Sequence, residues 1–288
     1  MQNWISIAEH IQELTGDQVK IDQLQGLSGG CINDSYRLSS DNKDYFVKLN
    51  QPNLLTMFEA EADGLTALAN SNAIRVPEAI CSGVTHQQSY LVLEYIPLTS
   101  NGDQRTLGLA LAQLHQNTAE QFGWFRDNVI GATHQPNQQT TDWLTFYANQ
   151  RLQFQFDLAH SNGARLKKGN QLIELLPKFF TEQPEASLLH GDLWGGNMAF
   201  DDNDNPVLFD PAVYYGDREA DIAMTELFGG FTADFYAAYN EVYPLEGGYQ
   251  VRKKLYNLYH VVNHFNLFGG GYLSQAEHII DELITSVT

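Results

Sequence analysis

Three polar residues lie close together in this sequence at a spacing suited to phosphoryl chemistry. An apolar pair, Leu188-Leu189, leads into His190-Gly191-Asp192, and Asn197 follows five residues after the aspartate. A carboxylate beside an attacking hydroxyl can orient it and accept its proton. An amide oxygen a few residues later can reach back to a divalent cation held on phosphates, and a short loop keeps both on one side of the transferred group. Thirteen residues after Asn197, a second apolar run, Val207-Leu208-Phe209, ends in Asp210. A carboxylate at the end of a buried strand is costly unless donors or a cation satisfy it, and Mg2+ bridging phosphate oxygens would do so. Singly, Asp192 could cap a turn, Asn197 could sit in one, and Asp210 could merely end a strand. In combination and in this order they favour catalysis, with Asp192 as base and Asn197 and Asp210 as metal ligands. The stretch Asp201-Asp202-Asn203-Asp204-Asn205 lacks the glycine and terminal glutamate of a calcium loop, so it predicts a hairpin turn.

Phosphate transfer also needs groups that hold a nucleotide. Gly26-Leu27-Ser28-Gly29-Gly30-Cys31 lies between two β-like runs. The backbone N–H groups of Gly29, Gly30 and Cys31 could approach phosphates closely, although the loop is not Gly-x-Gly-x-x-Gly and taken alone reads more readily as a plain hairpin turn. Lys48 stands among apolar strand residues in Tyr45-Phe46-Val47-Lys48-Leu49, where it could hold α- and β-phosphates. The following helical run offers Glu59 and Glu61 as its partner. Leu65 and Leu68, four and seven residues after Glu61, favour Glu61. Leu91 to Ile96 reads as a strand entering a hinge, where Glu94, Tyr95 and Ile96 would bind adenine, largely through backbone groups. Glycine loop, lysine, helix glutamate, hinge, Asp…Asn and Asp is the order found in protein kinases. Protein kinases follow the last aspartate with a long segment ending in Ala-Pro-Glu. Here residues 211–221 run almost directly into a helix, which points to a small-molecule acceptor or a single modified side chain.

These side chains need a scaffold of two parts. Val19–Leu27, Ser35–Leu38 and Tyr45–Leu49 read as strands, broken by Gly29-Gly30 and Ser39-Ser40-Asp41-Asn42. Leu54–Ala69 has helical spacing, with Phe58, Ala62, Leu65 and Leu68 on one face. Two more strands follow near Glu78–Gly83 and Tyr90–Tyr95. The break from Pro97 to Asp103 suggests a boundary, giving a nucleotide-binding lobe over 1–97 and a catalytic and substrate-binding lobe over 98–288. Helices are expected at Arg105–Gln116, Asp142–Phe156, Gln171–Thr181 and from Arg218 onward, around a β-rich island from Ser187 to Tyr215. The predicted class is α+β.

Thirty-five acidic against sixteen basic residues give a formal net charge of −19 over 288 residues, which argues against nucleic acid and anionic membrane as partners. No run approaches the ~20 apolar residues of a membrane span, and Met1 to His10 reads as an amphipathic helix instead of a signal peptide. Two cysteines, Cys31 and Cys81, are too few for a disulfide framework and fit a reducing compartment, so a cytoplasmic location is expected.

His190 to Asn197 (His-Gly-Asp-Leu-Trp-Gly-Gly-Asn) and Asp210 to Asp221 (Asp-Pro-Ala-Val-Tyr-Tyr-Gly-Asp-Arg-Glu-Ala-Asp) resemble the fructosamine kinase, or ketosamine-3-kinase, family. So do Gly29-Gly30-Cys31-Ile32, Phe58-Glu59-Ala60-Glu61, Asp142-Trp143 with Tyr147, Gln150 and Arg151, and Asn263-His264-Phe265-Asn266 with Phe268-Gly269. The resemblance covers nearly the whole chain. It implies a protein-kinase-like bilobal fold and ATP- and Mg2+-dependent phosphorylation of a ketosamine at its sugar O3. The substrate would be a small-molecule ketosamine or a glycated lysine on a protein, and the outcome would be deglycation. Asp217 stands where eukaryotic members have histidine, which suggests a bacterial-type member and leaves the sugar open between ribulosamine and fructosamine types; the resemblance implies a ribulosamine-type preference for bacterial members. Trp194, two residues after Asp192, is the candidate sugar platform. Asp217, Glu219 and His264 are candidates for binding the polyol or the amine. His190 is expected to orient the loop, and Asp221 to brace it.

An aminoglycoside- or choline-type phosphotransferase of the same fold is the competing enzyme reading. An ATP-binding regulatory module without turnover is the competing reading of another class. The chain is expected to be monomeric. Cys31, in a loop rich in N–H groups, could have a lowered thiol pKa and form a redox-linked dimer.

Overall fold

The computed structural model describes residues 2–27, 32–41 and 43–288. Contacts divide the chain into two compact units. One comprises residues 1–102 with 199–210, and the other comprises residues 103–198 with 211–288.

In the first unit, helix α1 (Gln2–Thr15) precedes strands β1 (Ile21–Leu27), β2 (Asp34–Ser40) and β3 (Lys43–Asn50). Helix α2 (Leu55–Asn70) and strands β4 (Ala79–Val84) and β5 (Ser89–Glu94) follow. The five strands form one antiparallel sheet in the order β1-β2-β3-β5-β4. Strand alternation decides what each face carries. Tyr45, Val47 and Leu49 of β3, with Tyr90 and Val92 of β5, form one apolar cluster with Ile7 and Ile11 of α1. Phe46 and Lys48 therefore point to the opposite face. The buried side of α2, with Phe58, Leu65 and Leu68, packs near this sheet, and Glu61 is on the same helix. β4 and β5 are each shifted by one residue from the expected spans, β1 begins two residues later, β3 is longer at both ends, and β2 extends to Ser40 because it pairs fully with β3 up to Lys43.

The second unit opens with α3 (Gln104–His115), capped by the Asp103 carboxylate, which accepts from the Arg105 amide at 2.8 Å. Short strands β6 (Thr118–Ala119), β7 (Asn128–Ile130) and β8 (Thr133–Gln135) follow. The helix expected over Asp142–Phe156 is interrupted: α4 (Trp143–Phe146) and α5 (Phe154–Ser161) flank a wider π turn over Tyr147–Gln153. The turn carries the fully buried Arg151, whose guanidinium lies 4.0 Å from the Tyr214 ring centre and donates to Asn137 Oδ1 at 2.7 Å. Helix α6 (Gly169–Leu175) and strand β9 (Ala186–Leu189) come next. After the catalytic-type loop come β10 (Met198–Phe200), β11 (Pro206–Leu208) and β12 (Tyr214–Gly216). Helices α7 (Glu219–Leu227), α8 (Ala233–Val242), α9 (Tyr249–Phe268) and α10 (Tyr272–Val287) complete the unit. Its core gathers Trp143, Phe146 and Tyr147 with Leu255, Tyr256 and Leu258 of α9 and Ile280 and Leu283 of α10. No helix among the described residues is long and apolar enough to cross a membrane.

Most of the β10–β11 hairpin packs with the first unit. Thr99 and Phe200 exchange backbone hydrogen bonds at 2.9 Å each way, and the Leu208 amide donates to the Arg75 carbonyl at 3.0 Å. The Asp-rich stretch is the hairpin turn. Asp201 accepts from the amides of Asn203 and Asn205 at 2.9 and 3.0 Å and pairs with Arg75. Burial alone would raise this carboxyl, but those donors bring it down to about 2.

Candidate active site

The first unit carries a buried ion cluster. Lys48 Nζ lies 2.6 Å from Glu61 Oε1 and 2.5 Å from Asp210 Oδ1. Burial alone would favour the neutral amine, but the two carboxylates offset it and hold Lys48 above the ordinary lysine range. Glu61 meets Lys48 because strand alternation turns the amine toward α2. Asp210 sits in the left-handed backbone region at φ 56°, which a non-glycine residue adopts only under local constraint. Its carboxylate is half-exposed while still bonded to Lys48. Glu94, at the end of β5, accepts from Arg75 Nη2 at 2.7 Å, so its side chain is engaged in holding β5 to the hairpin. Any adenine contact by Glu94 would come from its backbone. Tyr95 and the buried Ile96 follow directly, with the Arg37 guanidinium 4.6 Å from the Tyr95 ring centre. Gly29, Gly30 and Cys31 lie outside the described residues.

The second unit carries the loop after β9. Asp221, near the start of α7, accepts from the His190 amide at 2.7 Å and the Gly191 amide at 2.8 Å. His115 Nε2 lies 3.2 Å from the same carboxylate, and His115 Nδ1 lies 2.8 Å from Tyr239 Oη. Burial would raise the Asp221 carboxyl, but the His115 bond and the backbone amides hold it below its usual value. Burial likewise holds His115 below its usual value, so a neutral ring that donates to Asp221 and accepts from Tyr239 fits the geometry. Gly191 has φ 83°, and a Cβ there would lie 2.1 Å from the Ala212 carbonyl oxygen. Only glycine lets the chain turn here, beneath the following aspartate.

Within the loop, the Asn197 amide nitrogen donates to the Asp192 carbonyl at 2.8 Å and to Asp192 Oδ2 at 3.2 Å. The Asp192 amide in turn lies 3.3 Å from His190 Nδ1. Because the Asn197 nitrogen faces Asp192, its oxygen is the atom that could ligate a cation. The Trp194 ring is 41% exposed and lies over Gly196, where a Cβ would come within 2.2 Å of it. The turn at Gly229-Gly230 after α7 lies against Gly195. His264 Nδ1 donates to the His260 carbonyl at 2.8 Å, and its ring sits among Phe228, Phe268 and Tyr272 at 4.8–5.7 Å.

Asp217 and Glu219 occupy a different place from the one expected of substrate ligands. Both are buried. Glu219 holds Arg252 in a two-pronged pair at 2.7 and 2.8 Å, and Asp217 accepts from the Glu219 amide and from Tyr256 Oη. β12 pairs antiparallel with β9, and Gly216 faces Ser187. Asp217 is therefore at the start of β9, whereas the Asp192 loop leaves its other end. Sequence reasoning did not find His115, Arg75 or Arg252, because their partners lie 106, 126 and 33 residues away and leave no local pattern.

A model of the family described as fructosamine kinase matches residues 3–286. The chain belongs to the fructosamine kinase family. It is 47% identical over 285 residues to a probable ketoamine kinase of Synechocystis sp., covering 98% of this chain and 97% of that one. It is 42% identical over 277 residues to a chloroplastic protein-ribulosamine 3-kinase of Arabidopsis thaliana, covering 93% of this chain and 85% of that one. A crystal structure of a fructosamine-3-kinase candidate from Haemophilus somnus superposes with a TM-score of 0.91 at 32% identity, covering 97% of each chain. As a fructosamine kinase family member the chain is an ATP-dependent kinase, with a protein-kinase-like α+β fold.

Proposed function

We propose that the protein transfers the γ-phosphoryl group of ATP to the 3-hydroxyl of a ketosamine, the rearranged adduct of a reducing sugar and an amine. The observation that carries this reading is the Asp192–Asn197 pair on a loop held by Asp221, in a chain of this family. Asp192 takes the hydroxyl proton as the sugar oxygen bonds to phosphorus, and the bond from phosphorus to the bridging oxygen of ADP breaks. Lys48, kept charged by Glu61 and Asp210, holds the α- and β-phosphate oxygens. The hinge backbone at Glu94, Tyr95 and Ile96 takes the adenine, and Gly29, Gly30 and Cys31 cover the phosphates. This assigns nucleotide binding to residues 1–97 and catalysis with acceptor binding to 98–288.

Asn197 and Asp210 suit Mg2+, because both offer hard oxygen donors and the Asp210 carboxylate already stands beside a cation, Lys48. When bound, Mg2+ would neutralise charge on the phosphate oxygens. Trp194 supplies an apolar platform for the sugar face, and His264 contributes to the acceptor side. Support for a ribulosamine-type sugar comes from the protein-ribulosamine 3-kinase relative. A 3-phosphate on the carbon beside the C2 ketone is a good leaving group once a proton is lost from C1. Its elimination leaves an adduct that hydrolyses to free amine, so glycated lysines on proteins would be repaired in the cytoplasm.

ATP-dependent ADP release against ribulosyl-lysine, fructosyl-lysine, an aminoglycoside, choline and homoserine tests this, with Asp192→Asn as the blank. Turnover on a ketosamine that vanishes in the blank is expected. Turnover only on another acceptor would overturn the substrate class.

A further inference from the structure

Strands β7 and β8 form a hairpin whose register sets Asn128 directly opposite Gln135. Opposed residues of a strand pair share a face, so both amide side chains point the same way. Both are buried, Gln135 completely. They meet the segment that follows Asp210. Asn128 Nδ2 donates to the Val213 carbonyl at 2.8 Å, and Gln135 Nε2 donates to the Ala212 carbonyl at 3.1 Å. Gln135 Nε2 also donates to Asn128 Oδ1 at 2.8 Å, and Gln135 Oε1 accepts from Tyr259 Oη of α9 at 2.7 Å. Both N–H groups and the oxygen of the Gln135 amide are therefore matched, and the reverse orientation would set its oxygen against two others. Asn137 Nδ2 donates to the same Asn128 oxygen at 2.9 Å, and Arg151 Nη2 donates to Asn137. An apolar side chain would serve packing at position 135. A fully satisfied polar network in a dry interior does more: it fixes one arrangement of the backbone it bonds.

The backbone fixed here is that of Ala212. Its amide donates to the His190 carbonyl at 2.9 Å, and its carbonyl packs against Gly191. The two residues before Asp192 are thus held twice, through their amides by Asp221 and through the His190 carbonyl by Ala212. We infer that Gln135 is a positioning residue for phosphoryl transfer, acting through Ala212 on the turn that carries Asp192. The inference rests on Asp192 being the base, as proposed above. Gln135 bonds no reacting atom. It sets where the Asp192 carboxylate stands when the acceptor hydroxyl arrives. Gln135→Leu, of similar size, removes both N–H donors and leaves the Ala212 carbonyl and the Tyr259 hydroxyl without this partner.

The test combines native-state hydrogen exchange at the Ala212 amide with steady-state kinetics, both on the full chain. In Gln135→Leu, exchange at Ala212 should rise at least about tenfold and kcat should fall about tenfold, with KM for ATP unchanged. Tyr259→Phe removes only the hydroxyl that orients Gln135 and keeps both Gln135 N–H bonds, so kcat should fall about threefold. That milder variant decides the matter if Gln135→Leu does not fold. Ile280→Val, which trims the core of the same unit from α10, should leave Ala212 exchange and kcat at wild-type values. Exchange is read without an acceptor, so it tests the brace whatever the acceptor proves to be. kcat is read on the acceptor that the wild-type chain phosphorylates, and a wild-type chain inactive on ketosamines would count against the proposed function alone. Wild-type exchange at Ala212 together with wild-type kcat in the Gln135 and Tyr259 variants would overturn the inference. An equal loss of kcat in Ile280→Val, or a raised KM for ATP at unchanged kcat in Gln135→Leu, would overturn it as well.

Discussion

The clamp formed by Asp221 predicts that Asp221→Asn disables the catalytic loop without touching substrate. The carboxylate accepts two buried backbone N–H groups, from His190 and Gly191, and receives His115 Nε2. An asparagine oxygen can serve one of the amides, but its NH2 group then points a donor at another donor. One buried amide loses its partner, and the surviving bonds lose their charge assistance. At about 1–3 kcal/mol for an unsatisfied buried group, and a similar loss for the weakened bonds, the loop is destabilised by roughly 2–5 kcal/mol. The direct assay is native-state hydrogen exchange at the His190 and Gly191 amides, alongside steady-state ADP release. Exchange at both amides should rise by at least about tenfold, and kcat should fall at least tenfold, while KM for ATP stays near wild type. Wild-type exchange at both amides together with wild-type kcat would refute the argument that this carboxylate holds the loop.

Lys48→Met should weaken ATP binding by more than tenfold and destabilise the first unit by roughly 3 kcal/mol, because it leaves Glu61 and Asp210 without their cation; nucleotide titration and denaturant unfolding measure the two effects. Gly191→Ala should cost about 2 kcal/mol or more and abolish turnover, since the added Cβ meets the Ala212 carbonyl in a left-handed turn; unfolding and ADP release check both. Burial and the neighbouring Glu219 raise the Asp217 carboxyl to about 7 from an ordinary 3.8. The folded chain therefore keeps this proton over a range where the unfolded chain has lost it, so stability falls as pH rises from about 4 to about 7, by up to roughly 4 kcal/mol. Asp217→Asn should flatten that slope in melting curves across the range, and an unchanged slope would refute the assignment.

The parts of the site that could be read in the sequence are those set by local spacing. Asp192 and Asn197 belong to one loop, and the position of Glu61 relative to Leu65 and Leu68 ties it to the buried side of α2, where it meets Lys48. The turn at 201–205 was legible because Asp and Asn side chains bond amides two to four residues on. What escaped depends on distant partners. Nothing near Glu219 announces that Arg252 will meet it, so a buried structural pair resembled a pair of substrate ligands. The strands β6, β7 and β8 have only two or three residues each, too few to establish a period. The π turn at 147–153 has helix-forming residues throughout, and its widening accompanies the buried Arg151, which bonds residues 136 and 137.

The return of residues 199–210 to the first unit has a consequence for how the polypeptide comes off the ribosome. The opening 102 residues hold the whole five-stranded sheet, yet Arg75 finds Asp201, and Lys48 finds Asp210, only after about a hundred more residues have been added. During synthesis the sheet waits with a buried lysine matched by one carboxylate instead of two, and with Thr99 lacking its strand partner. Domains usually mature in the order they are made. Here the first to begin is completed late, so a pause in translation between residues 102 and 210 exposes an unfinished edge, and a fragment ending at residue 102 lacks what it needs to be a faithful stand-in for the nucleotide-binding half.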